Sequence, residues 1–188
     1  MIDLVQAGLF DKSIVGTDEQ RANLMKQIDS IRHQPDSSEL SNDGCWRSYH
    51  KYRADWLLDA VTELAREATE FYLPKDPVFA RLCKQRQFTT NYWTNINQPN
   101  SRNLLHTHYI SHFTAVYYVQ GTDTGDLRMI NPANILNAHM VGGPFIRDYY
   151  FKPSDGDLIL FPSWIPHEVL PNHSDRERIN IAFDITVR

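Results

Sequence analysis

Residues 155–167 read DGDLILFPSWIPH, and the fold turns on this stretch. Asp155-Gly156 ahead of an apolar run is a hairpin signal, which weighs against reading the two flanking aspartates as metal ligands. Residues 157–161 then form a short strand apolar enough to be buried, Pro162 and Pro166 bracket a turn, and His167 stands just beyond it. Outward from here the hydrophobic period is two. Segments 87–97, 104–108, 113–120, 127–130, 145–151 and 178–187 are rich in β-branched and aromatic residues and are separated by Gly, Pro, Asn and Asp. In the last of them Arg178, Asn180 and Ala182 share one face, and Ile179, Ile181, Phe183, Ile185 and Val187 the other. The apolar face should pack beneath helices and the sparse polar face should line a cavity.

Upstream the period changes. Thr17 with Gln20 three residues on is a capping box, and Leu24, Met25, Ile28 and Ile31 follow at helical spacing, predicting a helix over 18–32. Residues 34–44 read as a polar loop. Leu57, Leu58, Val61, Leu64, Ala65, Ala68 and Phe71 then make a second amphipathic stripe, closed by Leu73-Pro74 and Pro77. Helices first and strands later give an α+β class: a β-barrel with N-terminal helices packed on one face. The expected organisation is one domain over 1–188, with 1–84 a mainly helical wrap and 85–188 the barrel. The long connection 131–144 reads as a loop over a site rather than a boundary.

Composition agrees with one globular unit. The 188 residues are 41% hydrophobic and 22% charged, which excludes disorder and allows a core without disulfides. Cys45 and Cys83 are the only cysteines and form no framework, so a reducing compartment is the easier reading. The first residues lack the basic and apolar regions of a signal peptide, and no run approaches membrane-spanning length, which points to the cytoplasm. A net charge of −4 without a basic run gives no footprint for duplex nucleic acid. Homodimerisation stays open.

Of the eight histidines, His106, His108 and His112 cluster, while His167 is isolated; His33, His50, His139 and His173 lie in polar surroundings and read as surface residues. On a strand, residues i and i+2 project to one side, so His106-Thr107-His108 aims two imidazoles at one point. His167, just past its Pro-bounded turn, is a plausible third ligand. The competing reading is a polar edge pair and a hydrogen-bonded buried histidine.

Two β-barrel metal scaffolds share this arithmetic. The cupin pattern has H-x-H, a nearby Glu, then G-x5-P and a third His. Residues 156–162 and His167 resemble its second half, but His112 and Phe113 occupy the positions expected of the Glu. The double-stranded β-helix (jelly roll) of the 2-oxoglutarate-dependent oxygenases adds an Arg about ten residues beyond the distal His, and Arg176 and Arg178 lie nine and eleven beyond His167. More specifically, Trp93-Thr94-Asn95, the run from His106 to Val119, the run from Gly156 to His167, and Glu177-Arg178 through Phe183 resemble, block by block, a family of small bacterial and phage proteins classed as iron(II)/2-oxoglutarate oxygenases. The likeness spans about residues 88–185. Departures are Thr114-Ala115 for Ser-Gly, His112 for an apolar residue, and Asn180 for Ser.

This resemblance implies a double-stranded β-helix dioxygenase that hydroxylates an unactivated C–H of a small molecule or protein side chain, releasing succinate and carbon dioxide. Its cofactors would be Fe(2+), 2-oxoglutarate and O2, with ascorbate supportive. His106, His108 and His167 would hold the metal. His108 stands where the wider superfamily has a carboxylate, which leaves the centre one charge more positive and weakens selection against zinc. Arg178, placed by the E-R-x-x-x-x-F register, would clamp the far carboxylate of 2-oxoglutarate. Tyr118 is a second candidate for that carboxylate, and Asn95 and Asn180 complete the co-substrate set. Trp93, His112 and Trp164 are candidate substrate contacts, against core packing for Trp93 and a structural lid for Trp164. The alternatives are a cupin-type three-histidine metalloenzyme that does not use 2-oxoglutarate, and a non-catalytic, metal-stabilised binding module.

Overall fold

The computed structural model describes residues 8–34, 41–48, 52–72, 81, 85–131 and 148–188. In chain order they form β1 (Phe10–Lys12), α1 (Asp18–Ile31), β2 (Asn42–Arg47), α2 (Asp55–Tyr72), β3 (Phe88–His106), β4 (Phe113–Gln120), β5 (Leu127–Met129), β6 (Tyr149–Phe151), β7 (Leu158–Pro162), β8 (His167–Val169) and β9 (Arg178–Val187). Both helices fall where the spacing predicts them. At the start of α1 the Thr17 hydroxyl accepts from the Gln20 N–H at 3.2 Å and the Gln20 side chain accepts from the Thr17 N–H at 2.8 Å, the reciprocal capping box. Along α2, Leu57, Val61, Leu64, Ala65 and Ala68 are buried, whereas Phe71, at the frayed end of the stripe, is exposed.

The strands join in the order β1-β7-β4-β9-β3-β8-β5-β6, with β2 paired to β3, and every pairing is antiparallel. The sheet curls into a half-barrel of the double-stranded β-helix type, and the alternation in β9 decides which side is which. Ile179, Ile181, Phe183 and Ile185 share a core with Leu24 and Ile28 of α1 and with Leu57, Val61 and Leu64 of α2. Each such side chain, fully buried, stabilises the fold by roughly 1.5–3 kcal/mol. The opposite face of the sheet looks into the half-barrel, where Val116, Tyr118, Leu127, Met129, Ile159, Phe161 and Ile165 form a second cluster. Tyr117 and Tyr118 accordingly divide between the two clusters, and both are buried.

Several features depart from the sequence reading. β1 and β2 lie within the segment read as a helical wrap, and both add to the sheet, β1 on β7 and β2 on β3. The polar stretch 34–44 therefore ends in a strand. β3 fuses two expected strands and runs through Pro99. The proline is tolerated because pairing with β9 ends at Asn97 and pairing with β2 resumes only at Arg102, so no ladder partner needs the missing N–H. Asp155-Gly156 is a turn, and the φ of +92° at Gly156 suits glycine, but it closes no hairpin, because β6 pairs with β5 and β7 with β1 and β4; the Gly156 carbonyl accepts from Val15 N–H while its N–H donates to the Tyr118 carbonyl. Apart from Asn131, the loop 131–144 lies outside the described residues, as do His50, His139, Cys83, Pro74 and Pro77. Among the described residues no helix is long and apolar enough to cross a membrane.

Candidate metal centre

His106 and His167 are directly opposed partners across β3 and β8, so sheet register alone brings them together, with ring centres 4.3 Å apart. His108 arrives differently. β3 ends at His106, and the chain curls off the sheet instead of carrying the H-x-H pair on one pleat. The His108 N–H donates to the Ser163 carbonyl at 3.0 Å, which ties this curl to the turn between β7 and β8. One ring nitrogen from each of His106, His108 and His167 lies within 4.8 Å of the other two.

In all three rings Nδ1 is engaged, with the Leu104 carbonyl for His106 (2.6 Å), the Ile165 carbonyl for His167 (2.9 Å) and the Asp184 carboxylate for His108 (2.6 Å). A carbonyl can only accept, so Nδ1 carries the proton in His106 and His167, and Nε2 is left as the lone pair able to bind a metal. Burial, reinforced by the neighbouring histidines, drives the His167 pKa down to about 3. Burial lowers that of His106 too. Both rings are therefore neutral and ready to ligate at neutral pH. Nitrogen donors on one side of a cavity suit a divalent first-row metal with coordination positions left open.

The cluster opens onto a cavity of about 640 Å³ walled by Trp93, Asn95, Val116, Leu127, Val169 and Asn180 among others. Asn95 and Asn180 are cross-strand partners on β3 and β9, and the Asn95 amide donates to the Asn180 side chain at 3.0 Å. Two residues further along the same face of β9 stands Arg178, with 0% of its surface exposed. Its Nη1 donates to the carbonyls of Thr124 (2.7 Å) and Leu170 (3.3 Å), while Nε and Nη2 are buried without a hydrogen-bond partner. Burial pulls its pKa below the ordinary arginine value, opposed by Tyr118 and Cys45. A buried guanidinium with two idle donors is costly, and it fits a carboxylate taken in two-pronged fashion. Tyr118 is buried beside this charge, and its phenol, pushed up by burial, stays protonated. Gly125 lets Arg178 approach: at a φ of +98°, a Cβ there would stand 2.7 Å from the Leu170 carbonyl and 3.1 Å from Nη1.

Trp93 is a cavity wall rather than core. It stacks on His108, rings 15° from parallel, and carries the Arg47 guanidinium 4.2 Å from its centroid. His112 and Trp164 are not in this cavity but line a neighbouring one of about 670 Å³, which shares His108 with it. His112 Nδ1 accepts from the Val187 N–H, and Trp164 is 48% exposed. Two residues at the site escaped the sequence reading. Arg47 lies on β2, a strand the polar pattern hid. Asp184 was one step away: the face defined by Arg178, Asn180 and Ala182 continues to it.

A family model described as "Putative 2OG-Fe(II) oxygenase" matches residues 91–184, the span that holds all three histidines. No curated protein sequence matches the chain. Solved structures share the fold. A prolyl-4-hydroxylase from Pseudomonas putida is 18% identical, with a TM-score of 0.66 over 96% of this chain and 93% of its own. A prolyl hydroxylase from Trichoplax adhaerens, in complex with a hypoxia inducible factor peptide fragment, is 13% identical (TM-score 0.63; 95% and 83% covered). HygX from Streptomyces hygroscopicus, with nickel and 2-oxoglutarate bound, is 12% identical (TM-score 0.59; 96% and 83%).

Proposed function

Because the chain belongs to the 2OG-Fe(II) oxygenase family, we propose that His106, His108 and His167 hold its iron and that Arg178 receives the far carboxylate of 2-oxoglutarate. The enzyme is a 2-oxoglutarate-dependent oxygenase of hydroxylase type, using Fe(2+), 2-oxoglutarate and O2. When bound, these supply the oxidising power that turns an unactivated C–H into C–OH while 2-oxoglutarate is split to succinate and carbon dioxide.

The chain's own part is to bind, orient and exclude water. The three imidazoles would hold the metal from one side and leave the other for ligands that react. The idle Nε and Nη2 of Arg178 would donate to the distal carboxylate, with the Tyr118 hydroxyl beside it and the Asn95–Asn180 pair between Arg178 and the histidines. Val116, Leu127 and Val169 keep that path apolar. The primary substrate, a small molecule or a protein side chain, would meet the metal through the cavity that Trp93 helps to wall. Trp164 and His112, in the adjoining cavity, would touch only the outlying parts of a larger substrate. A reducing, cytoplasmic setting agrees with the buried free thiol of Cys45.

The observation that carries this reading is the half-satisfied guanidinium of Arg178, whose Nε and Nη2 are buried with no hydrogen-bond partner among the described residues. A three-histidine centre that used no keto acid would leave two buried charged donors unsatisfied with no compensating ligand. Anaerobic titration of 2-oxoglutarate into iron-loaded protein tests it. A visible metal-to-ligand charge-transfer band should grow in, and admission of air with ascorbate should release succinate at high enzyme concentration. A metal-bound protein that shows no band would favour the cupin-like alternative.

A further inference from the structure

Three imidazoles give iron(II) no anionic protein ligand, and the surroundings of His108 hold the group that answers this. Its Nδ1 meets Asp184 Oδ1 at 2.6 Å, with only 9% of the His108 side chain and 16% of the Asp184 side chain exposed. Among the described residues neither His106 nor His167 has such a partner; each bonds a neutral main-chain carbonyl. Asp184 is itself steadied: the Ser111 hydroxyl donates to the same oxygen at 3.4 Å, Ser111 is bonded to Ser163 at 2.8 Å, and Ser163 to Thr114 at 3.0 Å. Thr114 is the β4 residue paired with Asp184, so the hydroxyl chain closes on the same rung of the sheet. Trp93 stacks against His108, rings 15° from parallel, which supports the imidazole.

We propose that Asp184 is a positioning residue of the metal centre: it holds His108 with Nε2 toward the metal and supplies, one hydrogen bond removed, the negative charge that three histidines lack. The inference rests on His106, His108 and His167 being the ligand set. A carboxylate behind a ligating imidazole fixes its tautomer and makes it a stronger donor, and removal of such a partner typically lowers metal affinity about 10- to 100-fold. Charge-assisted bonds are about twice as strong as neutral ones, so a carboxylate in this place does what a third carbonyl would not.

The test is anaerobic competition for Fe(II) against a chromophoric chelator, with wild type, Asp184→Asn, Asp184→Ala and His167→Ala, alongside the melting temperature of each metal-free protein. Asparagine keeps an acceptor for Nδ1 but not the charge, so its affinity should fall about 10-fold, and that of the alanine variant about 100-fold. The metal-free Asp184→Asn protein should melt close to wild type, and its cobalt(II) complex should show a shifted visible spectrum. If His167→Ala loses iron while both Asp184 variants bind within two-fold of wild type, the ligand set stands and the inference fails. A fall in affinity matched by an equal fall in metal-free stability, with the cobalt spectrum unmoved, assigns Asp184 a purely structural role and also overturns it. Should His167→Ala bind iron like wild type, the ligand set is wrong and the inference falls with it.

Discussion

Replacing Arg178 with methionine removes the charge while keeping most of the buried volume. In the folded protein Nη1 has two carbonyl partners, and Nε and Nη2 have none. A carboxylate docked there finds two donors in one plane on a side chain that is fully buried. Taking away one member of such a buried pair costs about 3–5 kcal/mol, because the other is left desolvated and alone. At about 1.4 kcal/mol per factor of ten, the affinity for 2-oxoglutarate should drop by roughly two to four orders of magnitude. Iron affinity should hardly change, since none of the three histidines touches Arg178. Stability of the ligand-free protein should suffer little, because the lost carbonyl bonds are offset by relief of the buried charge. Anaerobic calorimetry of 2-oxoglutarate binding, paired with the chelator competition for iron, measures both. The reasoning is refuted if Arg178→Met binds 2-oxoglutarate within ten-fold of wild type, or if it loses iron as fully as His106→Ala.

The metal-free protein should weaken in acid through His167. Its folded pKa of about 3 lies below the unfolded value of about 6.5, so the unfolded chain takes up a proton that the folded one refuses. Stability is whole above pH about 6.5 and falls as pH drops toward 3, by roughly 3 kcal/mol at pH about 4.5 from this residue alone. Urea midpoints across that range should flatten in His167→Gln; equal slopes would contradict the assignment. His112→Ala should leave iron affinity unchanged, because His112 faces the neighbouring cavity, whereas His106→Ala should abolish it; the reverse pattern would move the site. Gly125→Ala forces a side chain onto the Leu170 carbonyl and Arg178, so thermal denaturation should show a loss of about 1–3 kcal/mol, with weaker 2-oxoglutarate binding. Thr17→Ala removes one half of the capping box and should cost about 1 kcal/mol with no effect on metal or co-substrate binding.

The sequence made some of this legible for physical reasons that differ from element to element. α1 and α2 announce themselves because a cap and a long apolar stripe are local signals. β9 does so because one face is buried under helices and the other under a cavity, and the period of two survives over its whole length. β1 and β8 are three residues each, too short for periodicity to register, whereas the equally short β5 falls inside the segment read as a strand over 127–130; β2 is polar because one of its faces borders the cavity. At the site, residue identity carried more than pattern. His106, His108 and His167 were readable as a set, yet the geometry that gathers them is a cross-strand pair plus a departing chain, not two steps along one pleat. Arg178 was found through its register with Phe183, while its idle donors needed coordinates. Asp184 was missed because an acidic residue near the end of a strand usually reads as solvated.

The place of β9 in the sheet bears on how the protein is born. It is the latest of the described strands in sequence, yet it sits between β3 and β4 and pairs with both along most of its length. During synthesis β3 and β4 emerge long before the strand that must lie between them, and each waits with an open edge and an apolar face. Such long-range closure is slow and exposes the nascent chain to association with its neighbours. A ribosome that stalls before residue 178 would release a product lacking Arg178, Asn180 and Asp184 and also the middle of its sheet. Such a product would be an aggregation hazard rather than a weakened enzyme, because β9 carries both the middle of the sheet and Arg178.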